Sequence, residues 1–108
     1  MRVSDAITAQ LYPYEVDMLL IEKACIDNEM TAAEEYFADM KQGVAKATIT
    51  VLRHLIVLQS ESNGGYSLSY DIEALKERIY NLAKDNGLTD IAEEYDRRSH
   101  IIDRTSIW

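Results

Sequence analysis

The chain has 108 residues, room for one domain large enough to bury a core without metal or disulfide staples. Hydrophobic residues make up 47% and charged residues 28%, with one proline and four glycines, the composition of an ordinary globular domain. Nineteen acids stand against eleven bases, a formal net charge of -8. That argues against wrapping DNA or lying on an anionic membrane, since both need clustered Lys and Arg.

In chain order, Ser4 is placed to cap a short first helix running to about Leu11, and Pro13 either stops it or starts the next. Val16, Leu19, Leu20, Lys23 and Ala24 follow the i, i+3, i+4 spacing of one amphipathic face, with Lys23 at its edge. That second helix ends near Asp27 or Asn28. Within it, Cys25 is the only cysteine, so no intramolecular disulfide can close, and its apolar neighbours predict a buried, inert thiol. Thr31-Ala32-Ala33-Glu34 has the form of a capping box and predicts a helix start there. From that start the chain forms either one long helix to about Ser60 or two pieces broken near Gly43.

Val44 to Leu58 is the most informative stretch. Lys46, Thr50, Arg53 and His54 share one narrow strip at 100° per residue. Val44, Ala45, Val51, Leu52, Leu55, Ile56 and Leu58 cover most of the remaining circumference, so this helix is expected at the centre of the core. Ser60-Glu61-Ser62-Asn63-Gly64-Gly65 then breaks the helix, and Tyr66, Leu68 and Tyr70 alternate with serines as a short extended segment.

From Asp71 the helical period returns, with Ile72, Leu75, Ile79, Leu82 and Ala83 in one stripe and acids at the start. Asn86-Gly87-Leu88 reads as a left-handed cap. A last helix starts near Thr89, with Ile91, Tyr95 and Ile102 on its apolar edge. Glu93 with Arg97 and Glu94 with Arg98 are i, i+4 pairs on it. The expected fold is all-α: four to five helices around a buried central helix, with one glycine-hinged extended loop. Residues 1–108 form a single domain, and 105–108 an apolar tail.

The charge is uneven. Residues 1–40 hold nine acids against Arg2 and Lys23, whereas 41–108 hold ten acids and nine bases. A solvated outer face is the plain reading, and a surface that repels nucleic acid or meets a basic partner is the sharper one. Chemistry-bearing motifs are sparse. His54 lies on the polar strip of the central helix. Asp96 and His100 are two residues without the companions a metal site needs. Glu34-Glu35 and Glu93-Glu94 are adjacent, which on a helix points their carboxylates about 100° apart. No phosphate-cradling glycine loop or nucleophile elbow is present, so no catalytic residue, metal or cofactor is expected. Arg97, Arg98 and Arg104 are too diluted by acids for a DNA-reading helix. The start turns polar at once and no apolar run reaches membrane-span length, so a cytoplasmic protein is expected. Tyr66 and Tyr70 beside the hinge glycines, and Trp108, are the candidate anchors for a protein partner.

The segment Gly64-Gly65-Tyr66-Ser67-Leu68-Ser69-Tyr70 lies between a long apolar helix and the Ile72-Leu75-Ile79-Tyr80 helix. It resembles small head-tail connector (head-completion) proteins of tailed phages, and most closely versions in prophages of gut bacteria. Ile21-Glu22-Lys23-Ala24, Ile26-Asp27, Met30 and Glu35-Tyr36 have a similar look, and the likeness runs from about residue 5 to 88. The resemblance implies a structural subunit that self-assembles as a ring and contacts portal and tail proteins. It would form in the host cytoplasm and end in the virion. DNA would pass through the lumen unread, past a repulsive acidic wall. Gly64, Gly65, Tyr66, Leu68, Tyr70, Ile107 and Trp108 are the residues expected at subunit or portal contacts. The alternative is an acidic helical adaptor or regulatory module that binds one basic protein.

Overall fold

The computed structural model describes residues 1–61, the last three by backbone alone, and 71–96. Five α-helices succeed one another: α1 (Val3–Leu11), α2 (Met18–Asp27), α3 (Lys41–Glu61), α4 (Ile72–Asp85) and α5 (Thr89–Glu94). A single 3₁₀ turn, Ala38–Met40, leads into α3. No strand forms among the described residues, so the fold is all-α as the periodicity predicts.

α3 is the central element. It packs against α1, α2 and α4, and α5 packs on α4. Val44, Ala45, Ala47, Ile49, Val51, Leu52 and Leu55 are all buried, so α3 is apolar on most of its circumference for the reason its pattern implies. Each large side chain buried there contributes about 1.5–3 kcal/mol relative to exposure. Thr48 is also fully buried. Its hydroxyl lies 2.8 Å from Gln10 Oε1 and 2.9 Å from the Val44 carbonyl, which lets a polar group sit in the core. Leu58, expected in the core, is exposed instead. The helix passes through Gly43 without interruption. A Cβ at Gly43 would stand 3.0 Å from Met30 Sδ, so the glycine serves the close approach of Met30 rather than a break.

Two expected helix starts are displaced, and one long-range contact explains both. The Val3 N–H donates to the Glu34 carbonyl (2.8 Å) and the Ser4 N–H to the Ala32 carbonyl (3.0 Å). An isolated antiparallel bridge joins Arg2 and Glu35. These carbonyls satisfy donors at the start of α1, and the Asp5 carboxylate accepts from the Arg2 N–H at 3.1 Å. Arg2 is therefore the cap, and Ser4 is buried in the first turn. The Thr31–Glu34 capping box does not form a helix start. It closes a turn, Glu34 N–H to Thr31 carbonyl at 3.1 Å, and the chain then runs to the 3₁₀ turn before α3.

The boundaries of α2 and α4 obey local chemistry. Asp17 caps α2 by accepting from the Leu19 N–H at 2.9 Å. Asp71 caps α4 by accepting from the Glu73 and Ala74 N–H groups. At the other end of α4, Gly87 takes φ 72°. The Leu88 N–H reaches the Ala83 carbonyl at 2.8 Å and the Gly87 N–H the Lys84 carbonyl at 3.4 Å. That is the paired-bond left-handed cap, with Leu88 buried as its apolar follow-on.

The face of α2 agrees in part with the one expected: Ala24 is buried, Val16 packs on the core and Leu20 is half-buried, but the buried stripe is turned toward Ile21 and Cys25. Ile21, Ala24 and Cys25 are buried, whereas Leu19 is 71% exposed. The i, i+3, i+4 rule fits both stripes, and the direction of α3 and α1 selects between them. α5 is shorter than expected, ending at Glu94 with Tyr95 as its cap.

Candidate functional site

The residues expected at partner contacts, Gly64, Gly65, Tyr66, Leu68, Tyr70, Ile107 and Trp108, lie outside the described residues, as does the glycine-hinged loop itself. Arg97, Arg98, His100, Ile102 and Arg104 lie there too. The structure instead exposes features on the helices that bear on function.

α2 and α3 enclose a cleft of about 180 Å³, lined by Leu20, Lys23, Ala24, Asp27, Thr50, Val51 and His54. Asn28 ties the two helices together, its Nδ2 donating to the Ala24 carbonyl at 2.8 Å and to Thr50 Oγ1 at 3.1 Å. Lys23 Nζ and the Asp27 carboxylate pair along the rim at 2.7 Å. His54 is exposed beside them. The lining is chiefly apolar, and its charged groups are solvated.

A second depression of about 270 Å³ runs along the α1–α2 turn and is lined by Thr8, Leu11, Tyr12, Pro13, Tyr14, Glu15, Val16 and Ile21. The Tyr12–Pro13 peptide in this turn is cis. Arg78 of α4 braces it: one guanidinium nitrogen donates to the Gln10 carbonyl at 3.0 Å and to the Tyr12 carbonyl. The same guanidinium lies 5.3 Å from the centroid of the Tyr14 ring. Carbonyls at a helix C-terminus lack intrahelical partners, and a cation suits the negative end of the dipole. Sequence reasoning missed Arg78. Its partners lie 66 and 68 positions away, and only its place on a polar face of α4 was visible.

Burial, reinforced by the Glu22 carboxylate, holds the Cys25 thiol above its ordinary pKa, in keeping with an inert core residue. Glu35 pairs with the Met1 amino group at 3.3 Å, and Arg53 pairs with Glu94 at 3.1 Å. Arg53 on α3, distant in sequence, is thus one partner of Glu94, and the expected partner Arg98 lies outside the described residues. Among the described residues, no group of three or more His, Cys, Asp or Glu side chains could hold a metal ion. None of the helices described is long and apolar enough to cross a membrane. All nine acids of residues 1–40 are exposed. Asp5 and Asp17 meet local backbone donors, while Asp27 and Glu35 meet cations.

Large apolar side chains also reach the surface. Tyr12, Leu19 and Ile26 are each more than two-thirds exposed, and Met18, Phe37, Val57 and Leu58 are exposed as well. Among the tyrosines, Tyr12 is 77% exposed. Tyr14, Tyr36, Tyr80 and Tyr95 are half-buried.

The fold and this surface define a small acidic all-α domain built on one buried helix. The chain belongs to the Family of unknown function (DUF6706), whose model matches residues 1–108. No curated protein and no solved structure matches it.

Proposed function

We propose that the chain is a non-enzymatic structural subunit of a phage or prophage particle, one that closes into a ring joining the capsid portal to the tail. The observation that carries this reading is the set of large apolar side chains left exposed on separate elements: Tyr12 in the α1–α2 turn, Leu19 and Ile26 on α2, Phe37 before the 3₁₀ turn, and Val57 and Leu58 on α3. A ring subunit meets its two neighbours through two different surfaces, so it needs contact residues on more than one side. The helical architecture and the resemblance of the Gly64–Tyr70 segment to head-tail connectors support the same reading. Exposed carboxylates of the N-terminal half would face the lumen and repel the passing genome without reading its sequence. Partners are then further copies of the chain and the portal and tail proteins, met in the host cytoplasm and retained in the virion.

An adaptor that binds one basic protein is the second reading. The acids on and around α2 favour it, since Asp17, Glu22, Asp27 and Glu29 are exposed there with Lys23 as the only base. Solution mass by light scattering over a wide concentration range separates the two. A closed oligomer that is lost on removal of Ile107-Trp108, or in Tyr66→Ala with Tyr70→Ala, with helicity retained, supports the ring. Loss of helicity in those variants makes the loop and tail part of the core and sinks their role as contacts. A monomer at every concentration, with or without a portal protein present, refutes ring formation and leaves the adaptor.

A further inference from the structure

α2 ends in a left-handed cap with no glycine to mark it. The Glu29 N–H donates to the Ile26 carbonyl at 3.0 Å and the Met30 N–H to the Cys25 carbonyl at 2.8 Å, the same paired bonds that close α4. The left-handed position is held here by a glutamate, at φ 61°, where α4 has Gly87. A side chain is disfavoured in that conformation, which lasts only while the contacts around it hold. Met30 supplies such a contact. Its thioether fills the space a side chain would take at Gly43 on α3: a Cβ there would stand 3.0 Å from Sδ, 3.4 Å from Cε and 3.9 Å from Cγ. Met30 is half-buried and packs on the core. The cap of α2 is thus pinned to the bare backbone of α3 by one polarisable, oxidisable group.

We propose that Met30 is a redox latch: oxidation of its thioether by a peroxide undoes the cap of α2 and, through residues 31–34, loosens the start of α1. In the step, Sδ attacks one oxygen of hydrogen peroxide and the O–O bond breaks. An S–O bond forms, and the other oxygen takes up the proton shed by the first and leaves as water. Sulfur loses two electrons and the peroxide gains them. The sulfoxide is polar at sulfur itself, so it needs hydration that the backbone at Gly43 and the apolar core do not supply. The side chain leaves Gly43 to find water, and Glu29 relaxes to an unstrained backbone. The chain that follows carries Ala32 and Glu34, whose carbonyls accept the Ser4 and Val3 N–H groups, so the change reaches α1. Met1 and Met18 are exposed, and their sulfoxides stay hydrated where they stand. Cys25, the other sulfur near the cap, is fully buried with its thiol held protonated, which leaves Met30 to react first. The latch belongs to the folded subunit and stands independently of ring formation.

Hydrogen peroxide is added in steps to the full chain, peptide mass mapping reads each methionine, and amide hydrogen exchange reads the backbone. Oxidation of Met30 is expected to speed exchange of the Met30, Val3 and Ser4 N–H groups about tenfold or more, with Cys25 still a thiol. A sulfoxide reductase supplied with a dithiol, which takes the oxygen off as water and ends as a disulfide, restores slow exchange. Met30→Leu keeps the volume without the sulfur and makes these amides indifferent to peroxide, whereas Met40→Leu responds as the parent does. Met30 staying reduced while the half-buried Met40 oxidises, or oxidised Met30 with exchange unchanged at those amides, overturns the proposal in the parent chain alone. A Met30→Leu chain that loosens with peroxide as the parent does, or a response abolished by Met40→Leu, overturns it as well.

Discussion

Replacing Arg78 by methionine keeps an aliphatic stem on α4 and deletes the guanidinium that braces the end of α1. Three contacts go with it. The bond to the Gln10 carbonyl is part-buried and charge-assisted, worth about 1.5–2 kcal/mol. The bond to the Tyr12 carbonyl is exposed and water competes for it, so it adds about 0.5 kcal/mol. The contact with the Tyr14 ring adds about 0.5 kcal/mol at a partly exposed site. The expected loss is about 2–3 kcal/mol, or roughly 10–15 °C in Tm for a domain of this size. Urea unfolding followed by circular dichroism measures it, with an unchanged slope expected because the folded state stays compact. Arg78→Lys should recover only part, since an ammonium cannot hold two carbonyls and a ring face in one plane. A loss below about 0.5 kcal/mol, or a lysine variant equal to the parent, would refute the bracing role.

Leu52 is fully buried on α3, so Leu52→Ala should cost about 2–5 kcal/mol in the same unfolding assay. Gly87→Ala should cost about 1–2 kcal/mol through its left-handed backbone alone, because the nearest atom to an added Cβ is Gln42 Nε2 at 3.9 Å. Gly87→Asn should lose less, and equal losses for both would point to a steric cause. Burial keeps Cys25 protonated in the folded chain at pH values where the unfolded chain has lost the proton. Its contribution is therefore intact below the unfolded thiol's pKa and is lost as pH rises through the folded one. The unfolding midpoint of Cys25→Ala, measured as pH rises through that range, should fall less steeply than that of the parent.

Periodicity and punctuation determined more of the fold than of the surface. The apolar run from Val44 to Leu55 marked the central helix because burial on most sides requires apolar residues on most sides. Asp71 and Asn86-Gly87-Leu88 marked the ends of α4 because capping uses groups within a few residues of the end. The inert cysteine and the solvated acids were legible for the same local reason.

Tertiary structure alone decided what depended on a distant partner. Ser4 and Thr31 are sound caps by type, yet the carbonyls of Ala32 and Glu34 satisfy the start of α1, so neither acts as one. On α2 two apolar stripes compete, and only the positions of α1 and α3 make Ile21 core and Leu19 surface. Glu94 meets Arg53, and Arg78 meets carbonyls across the fold. Local composition marks most of the helical segments, because a cap or a stripe is complete within a few turns, yet the run after Thr31 stays outside any α-helix until Lys41. Which face turns inward, and which charge meets which carbonyl, is settled only when the helices pack, because those partners are far apart along the chain.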